Sequence, residues 1–186
     1  MIANGPYLSP EVGAVHESSN ARLLLVRHGR TALNAAHQLR GRLDPELDEV
    51  GRAEASALAA VLGRWEPVRV VSSPLRRALQ TAEAIAGRAG VRVSVDPGLI
   101  DRDYGQWAAH TTDEIVDQWG SIDRAPGVEP VERVLHRAAV VLMQQLRFLR
   151  SRPVVLDTHD AVIKALLAYL DPTLGPAHGM DQRTGC

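Results

Sequence analysis

Cysteine, lysine and phenylalanine are nearly missing from this chain. Cys186 is the single cysteine and occupies the last position, which excludes a disulfide framework and a thiolate metal cluster. Lys164 is the sole lysine, so the positive charge is almost entirely arginine. The formal net charge is −1, which leaves no basic footprint for nucleic acid or an anionic membrane. Long apolar runs are missing too: nothing approaches the roughly 18 residues of a membrane span, and the N-terminus lacks the basic start and apolar core of a secretory signal. These absences point to the cytoplasm, with neither nucleic acid nor membrane as partner. What is present is 186 residues of 45% hydrophobic content, enough for one compact domain with a core.

Residues 1–20 carry Gly5, Pro6, Pro10, Gly13, Ser18 and Ser19 without periodicity and read as a flexible N-terminal arm. Residues 21–186 read as a single catalytic domain. Four apolar runs, at 22–26, 68–71, 91–95 and 153–156, predict strands, the first of them typical of a buried parallel strand. Apolar positions at helical spacing predict helices over 48–62, with Asp48 as N-cap, over 129–150 and over 161–170. A helix starting at Ser73-Pro74, with Ser73 as its cap and Pro74 at its first position, is expected to run to Arg88. The stretch 101–127 reads as an excursion over the sheet's edge, with one short helix at 112–119. Strands alternating with helices predict an α/β fold of three layers, a mainly parallel sheet covered on both faces.

In such a sheet, ligands bind outside the carboxyl ends of the strands, where helix N-termini also point free N–H groups. The first strand ends in Arg27-His28-Gly29, the second leads to Arg76, and the fourth leads to Asp157-Thr158-His159. Parallel strands bring all three clusters to one rim. Two histidines, two arginines and a helix N-terminus make an anion site, suited to a phosphoryl group. Most arginines read as ordinary solvated surface, Arg27 and Arg76 excepted. A metal site at the histidines stays open because Asp157 and Asp160 flank His159, although arginines beside His28 and at the second strand end oppose a cation.

Arg27-His28-Gly29 with Thr31 and Asn34, Ser72-Ser73-Pro74-Leu75-Arg76-Arg77-Ala78 with Gln80-Thr81-Ala82, and His159 before Ala161-Val162 together resemble the histidine phosphatase superfamily, also called phosphoglycerate-mutase-like. The resemblance covers residues 22 to about 170. It implies that His28 attacks phosphorus and becomes phosphohistidine, that Arg27, Arg76 and His159 hold the phosphoryl oxygens, and that Asn34 contacts substrate or phosphate. It also implies that His28 donates from its other ring nitrogen to the Gly29 carbonyl, and that neither metal nor cofactor is needed. The expected activity is hydrolysis of a small phosphorylated metabolite; a homodimer is left open.

Three departures from the family pattern stand out. The family's proton-donating glutamate opens a segment reading Glu, Arg, Asp, aromatic, Gly, any residue, Trp; here Asp101 opens Asp101-Arg102-Asp103-Tyr104-Gly105-Gln106-Trp107. Asp101 is therefore the expected acid, with Asp103 as fallback. Asp160 stands where glycine is common and puts a carboxylate near the anion pocket. The family also supplies a further strand after the last helix, so a chain ending at Cys186 is expected to be cut short there. Two other activities compete. A cofactor-dependent phosphoglycerate mutase would need more basic residues in the excursion, where Arg124 stands alone between Trp107 and Pro130. A weakly active domain that binds phospho-ligands or proteins is opposed by the intact His28, Arg27, Arg76 and His159.

Overall fold

The computed structural model describes residues 22–149, 152–171 and 173. The arm expected at 1–20 and the C-terminal end expected to be cut short lie outside them. Four strands, β1 (Leu23–Arg27), β2 (Arg69–Ser72), β3 (Val93–Val95) and β4 (Val154–Thr158), form one sheet in the order β1-β4-β2-β3, every pair parallel. Among the described residues the α-helices are α1 (Ala32–Ala35), α2 (Glu49–Leu62), α3 (Arg76–Ala89), α4 (Thr112–Trp119), α5 (Val131–Leu146) and α6 (Asp160–Leu170). The last strand thus inserts between the first two, which sets the ends of β1, β4 and β2 side by side.

Side chains alternate faces along a strand, and β4 shows this directly. Val154 and Leu156 join Val134, Ala138, Val141 and Leu142 of α5 and Val162, Ala165 and Leu166 of α6 in one core. Val155 joins Ala59 and Leu62 of α2 and Ala82, Ile85 and Ala86 of α3 in the other. Two apolar layers on one parallel sheet require strands buried on both faces, and all five β4 residues are buried.

Helix ends follow the local chemistry. Asp48 caps α2, its carboxylate accepting from Gly51 N–H. Thr31 and Asn34 form a reciprocal capping box on α1, a helix too short to announce itself by periodicity. The helix α4 occupies the predicted 112–119, with Thr111 and Glu114 as its capping box. The excursion builds a third, small core from Tyr104, Trp107, Ile115 and Ala125 packed on Leu39. Leu39 and residues 109–110 exchange backbone hydrogen bonds of 2.8 Å, so this core ties the 37–43 loop to the segment after Asp101.

Asp157 is an exception to the apolar pattern. It has the parity of Val155, so it faces α3, fully buried, and neither carboxyl oxygen has a hydrogen-bond partner among the described residues. Burial holds its carboxyl well above the usual range; the peptide N–H groups of Ala82 and Thr158 pull the other way without overcoming it. A carboxyl whose folded pKa is raised contributes its full stability below the unfolded value and loses it as pH climbs toward the folded one. Asp157→Asn removes that loss. The variant is expected to gain about 1–3 kcal/mol over the parent near pH 8 and to match it near pH 4, measured by denaturant titration at both pH values.

Candidate active site

His28 follows β1 directly, and its backbone N–H donates to the Thr158 carbonyl at 3.2 Å, locking the β1 end to the β4 end. Its Nδ1 lies 2.7 Å from the Gly29 carbonyl. A carbonyl can only accept, so Nδ1 carries the proton and Nε2 keeps its lone pair. Arg77 Nε, always a donor, points at that Nε2 from 3.2 Å, so both ring nitrogens agree on one tautomer. Gly29 is required here: a Cβ would stand 2.4 Å from the Gly51 carbonyl oxygen of α2. Its N–H donates to Thr81 of α3 at 3.1 Å.

The arginine that reaches this site is Arg77, and the expectation for Arg76 is corrected. The helix α3 begins at Arg76, with Leu75 as an uncapped N-cap in extended conformation, two residues later than a Ser73 cap would set it. Successive helical residues differ by about 100° in direction, so Arg76 and Arg77 diverge. Arg76 is exposed and pairs with Glu46, while its backbone N–H donates to Asp44 at 2.7 Å. Arg77 is fully buried. Besides His28, it donates to the Leu43 carbonyl at 2.7 Å, the Gly41 carbonyl at 2.9 Å and Asp101 Oδ2 at 2.9 Å.

Asp101 is 3% exposed and accepts from the Arg102 N–H at 2.8 Å through its other oxygen. Burial raises its pKa, opposed by the guanidinium charges of Arg77 and Arg40. Asp103, the fallback acid, lies outside this cluster, paired with the exposed Arg42 at 3.5 Å. His159 stands 5.1 Å from His28 between ring centroids. Its Nε2 is 2.7 Å from Ser73 Oγ and its Nδ1 is 3.8 Å from Asp101 Oδ2. Both imidazoles are held well below their ordinary pKa, first by burial, then by the guanidinium charges of Arg77 and Arg40 and by mutual repulsion if either ring were to protonate. In the free site both are therefore neutral near pH 7.

The remaining expected residues sit at the edge. Arg27 is largely exposed, 3.9 Å from Asp160, whose carboxylate is also held by Lys164 at 2.8 Å. Asn34 commits its carbonyl oxygen to the Thr31 N–H and hydroxyl at 3.1 and 2.8 Å, leaving only its amide N–H donors for a ligand. Asp157, buried toward α3, makes no side-chain hydrogen bond to either histidine among the described residues. No group of three or more His, Cys, Asp or Glu among the described residues is placed to hold a metal ion. Arg40 was missed by the sequence reading. It lies in the loop tied to the excursion, its Nε is buried without a partner among the described residues, and its charge acts on His28, Asp101 and His159. A single arginine in an irregular loop carries no periodic signal.

A family model described as histidine phosphatase superfamily (branch 1) matches residues 23–183. The chain belongs to that superfamily. Glucosyl-3-phosphoglycerate phosphatase of Mycolicibacterium vanbaalenii is 35% identical over 165 residues, covering 80% of this chain and 73% of that one. Phosphoserine phosphatase 1 of Hydrogenobacter thermophilus is 34% identical over 159 residues, 80% of this chain and 75% of that one. A solved mycobacterial glucosyl-3-phosphoglycerate phosphatase in complex with VO3 superposes with a TM-score of 0.72 at 33% identity, covering 83% of this chain and 82% of that one. As a histidine phosphatase, this chain is a hydrolase of small phosphorylated molecules.

The Arg76–Arg77 distinction is testable. Arg77→Lys keeps the charge but loses the fork that reaches two carbonyls and Asp101, and is expected to lower kcat/KM by on the order of 100-fold. Arg76→Ala removes an exposed pair worth little and should stay within about threefold of the parent. Equal losses would return the role to Arg76.

Proposed function

We propose that the chain hydrolyses a small phosphomonoester by two displacements at His28, without a metal, and does so in the cytoplasm. The observation that carries this reading is the orientation of His28: Nδ1–H is fixed on Gly29 O, so the Nε2 lone pair faces the buried Arg77. In the first step Nε2 attacks phosphorus, the ester P–O bond breaks, and the leaving oxygen takes the carboxyl proton of Asp101. In the second, water attacks phosphohistidine, Asp101 takes a proton from it, the N–P bond breaks, and inorganic phosphate leaves. Arg77, His159, Arg27 and the Asn34 amide are the proposed donors to the phosphoryl oxygens. Bound substrate shifts the Arg77 Nε–H from His28 to a phosphoryl oxygen, freeing the lone pair at the moment it is needed.

Burial favours the neutral form of both partners, lowering His28 and raising Asp101. The free base is needed at His28 and the acid form at Asp101, so activity is lost below the His28 pKa and above that of Asp101 with substrate bound. A dianionic phosphoryl group adds its own charge and raises Asp101 further. Asp101→Asn is expected to cost on the order of 100-fold or more with an alkyl phosphate and far less with p-nitrophenyl phosphate, whose leaving group needs no proton. Equal losses on both substrates would remove Asp101 from the acid role. His28→Ala is expected to abolish turnover and the acid-labile 32P label trapped on the parent, and the parent is expected to keep its rate in EDTA.

The substrate proposed is a phosphomonoester bearing a carboxylate. Glycerate and serine phosphates, the types in the relatives' names, both carry one, and the free Arg40 Nε–H supports a second anionic group beside the phosphoryl site. Arg40→Gln should raise KM for 3-phosphoglycerate and phosphoserine about tenfold, the size of a lost charged hydrogen bond, while leaving KM for glycerol phosphate unchanged in a steady-state panel. A uniform rise across the panel would count against carboxylate recognition.

A further inference from the structure

Ser73 took no part in the reading above beyond failing to cap α3, yet it is fully buried and bonded to a residue of the reaction. Its Oγ accepts the Leu75 N–H at 3.3 Å and lies 2.7 Å from His159 Nε2. Its backbone groups are occupied elsewhere, the N–H on Asp157 O at 3.0 Å and the carbonyl on Ser72 Oγ at 2.9 Å. A serine hydroxyl has one hydrogen and must place it on an acceptor. Among the described residues the acceptor on hand is His159 Nε2. The opposite arrangement, Nε2–H donating to Oγ, leaves the hydroxyl hydrogen of the fully buried Ser73 without an acceptor among the described residues. A buried polar group would then be unsatisfied, an arrangement folded proteins avoid.

We propose that Ser73 is a positioning residue that fixes His159 as its Nδ1–H tautomer, so that a neutral imidazole presents an N–H to a phosphoryl oxygen. The proposal rests on the reading of His159 as a phosphoryl ligand. His159 Nδ1 is buried and has no hydrogen-bond partner among the described residues, and it lies on the side of the ring nearer Asp101, where the transferred group must pass. Free neutral imidazole favours the other tautomer, so the preference has to be imposed from outside the ring. The charged and titratable groups acting on His159 are His28, Arg77, Arg40, Arg137 and Asp101.

The tautomer is read by long-range 1H–15N correlation spectra of the 15N-labelled full chain near pH 7.5. The expected pattern for His159 is a pyrrole-type Nδ1 and a pyridine-type Nε2; the reverse pattern overturns the proposal, whether or not any variant folds. The functional arm compares Ser73→Ala and Ser73→Thr with the parent. Without the hydroxyl, His159 reverts toward Nε2–H and turns a lone pair on the phosphoryl group, so kcat/KM for p-nitrophenyl phosphate should fall on the order of 10- to 100-fold near pH 8. Acidification that protonates both ring nitrogens restores the N–H, so the deficit relative to the parent should shrink only as pH falls through the lowered His159 pKa. Ser73→Thr keeps the hydroxyl and should restore most of the rate. A deficit that is constant with pH, or no rescue by threonine, identifies a merely structural role and overturns the proposal. An inactive parent with the predicted spectrum would instead sink the phosphatase reading alone.

Discussion

Everything at this site hangs on one buried guanidinium. Arg77 joins three separate pieces of chain: the β1 end through His28, the 41–43 loop through two carbonyls, and the segment after β3 through Asp101. Removing a charge from water is expensive, and a buried ion pair seldom repays it in stability alone. The Arg77–Asp101 pair is therefore a poor device for holding a fold and a good one for holding a site. Its carboxylate partner is itself pushed toward neutrality, which leaves the guanidinium with charge to spare for an incoming anion. The other contacts, all to neutral carbonyls and an imidazole, fix direction without cancelling that charge.

The sheet order explains how such distant residues meet. Because β4 inserts between β1 and β2, His28, Ser73 and His159 leave three adjacent strand ends, and the backbone bonds from His28 N to Thr158 O and from Ser73 N to Asp157 O continue the ladders up to the site. Asp101 comes from the far edge and needs a separate anchor. Arg137 of α5 supplies it, donating to the carbonyls of Gly98 at 2.9 Å, Asp101 at 3.1 Å and Ile100, while Glu129 accepts from the same guanidinium at 3.1 Å. The acid is thus placed by a helix of the opposite layer, and His28 by close packing of Gly29 on α2.

The sheet, its parallel sense and its two covered faces were legible because apolar runs and helical periodicity survive in one dimension. The convergence of His28 and His159 was legible for the same reason, since parallel strands put their ends together. The choice between Arg76 and Arg77 was not. It turns on a two-residue shift in the start of α3, which begins at Arg76 although Ser73 Oγ still accepts the Leu75 N–H. Arg40 was hidden because a loop has no period; what brings it in is the packing of Leu39 on Tyr104 and Trp107. Asp157 could have been assigned to the α3 face from strand parity alone, two residues beyond Val155.

The same burial that costs this site stability also sets its chemistry. Desolvation acts against charge of either sign, so it lowers the two imidazoles and raises the carboxyl, and a base and an acid emerge from one cause. With both imidazoles neutral and the Asp101 carboxyl pushed toward its neutral form, the positive charge left at the centre is that of Arg77 and Arg40. That charge matches a phosphoryl dianion, and in the proposed reaction binding one would raise Asp101 further and draw the Arg77 Nε–H from His28 toward the phosphate. A lone pair covered by a guanidinium in the free site would then be uncovered by the substrate. In the proposed scheme the shorter aspartate is held in position by Arg77 and Arg137, which makes the length of its own side chain the lesser constraint.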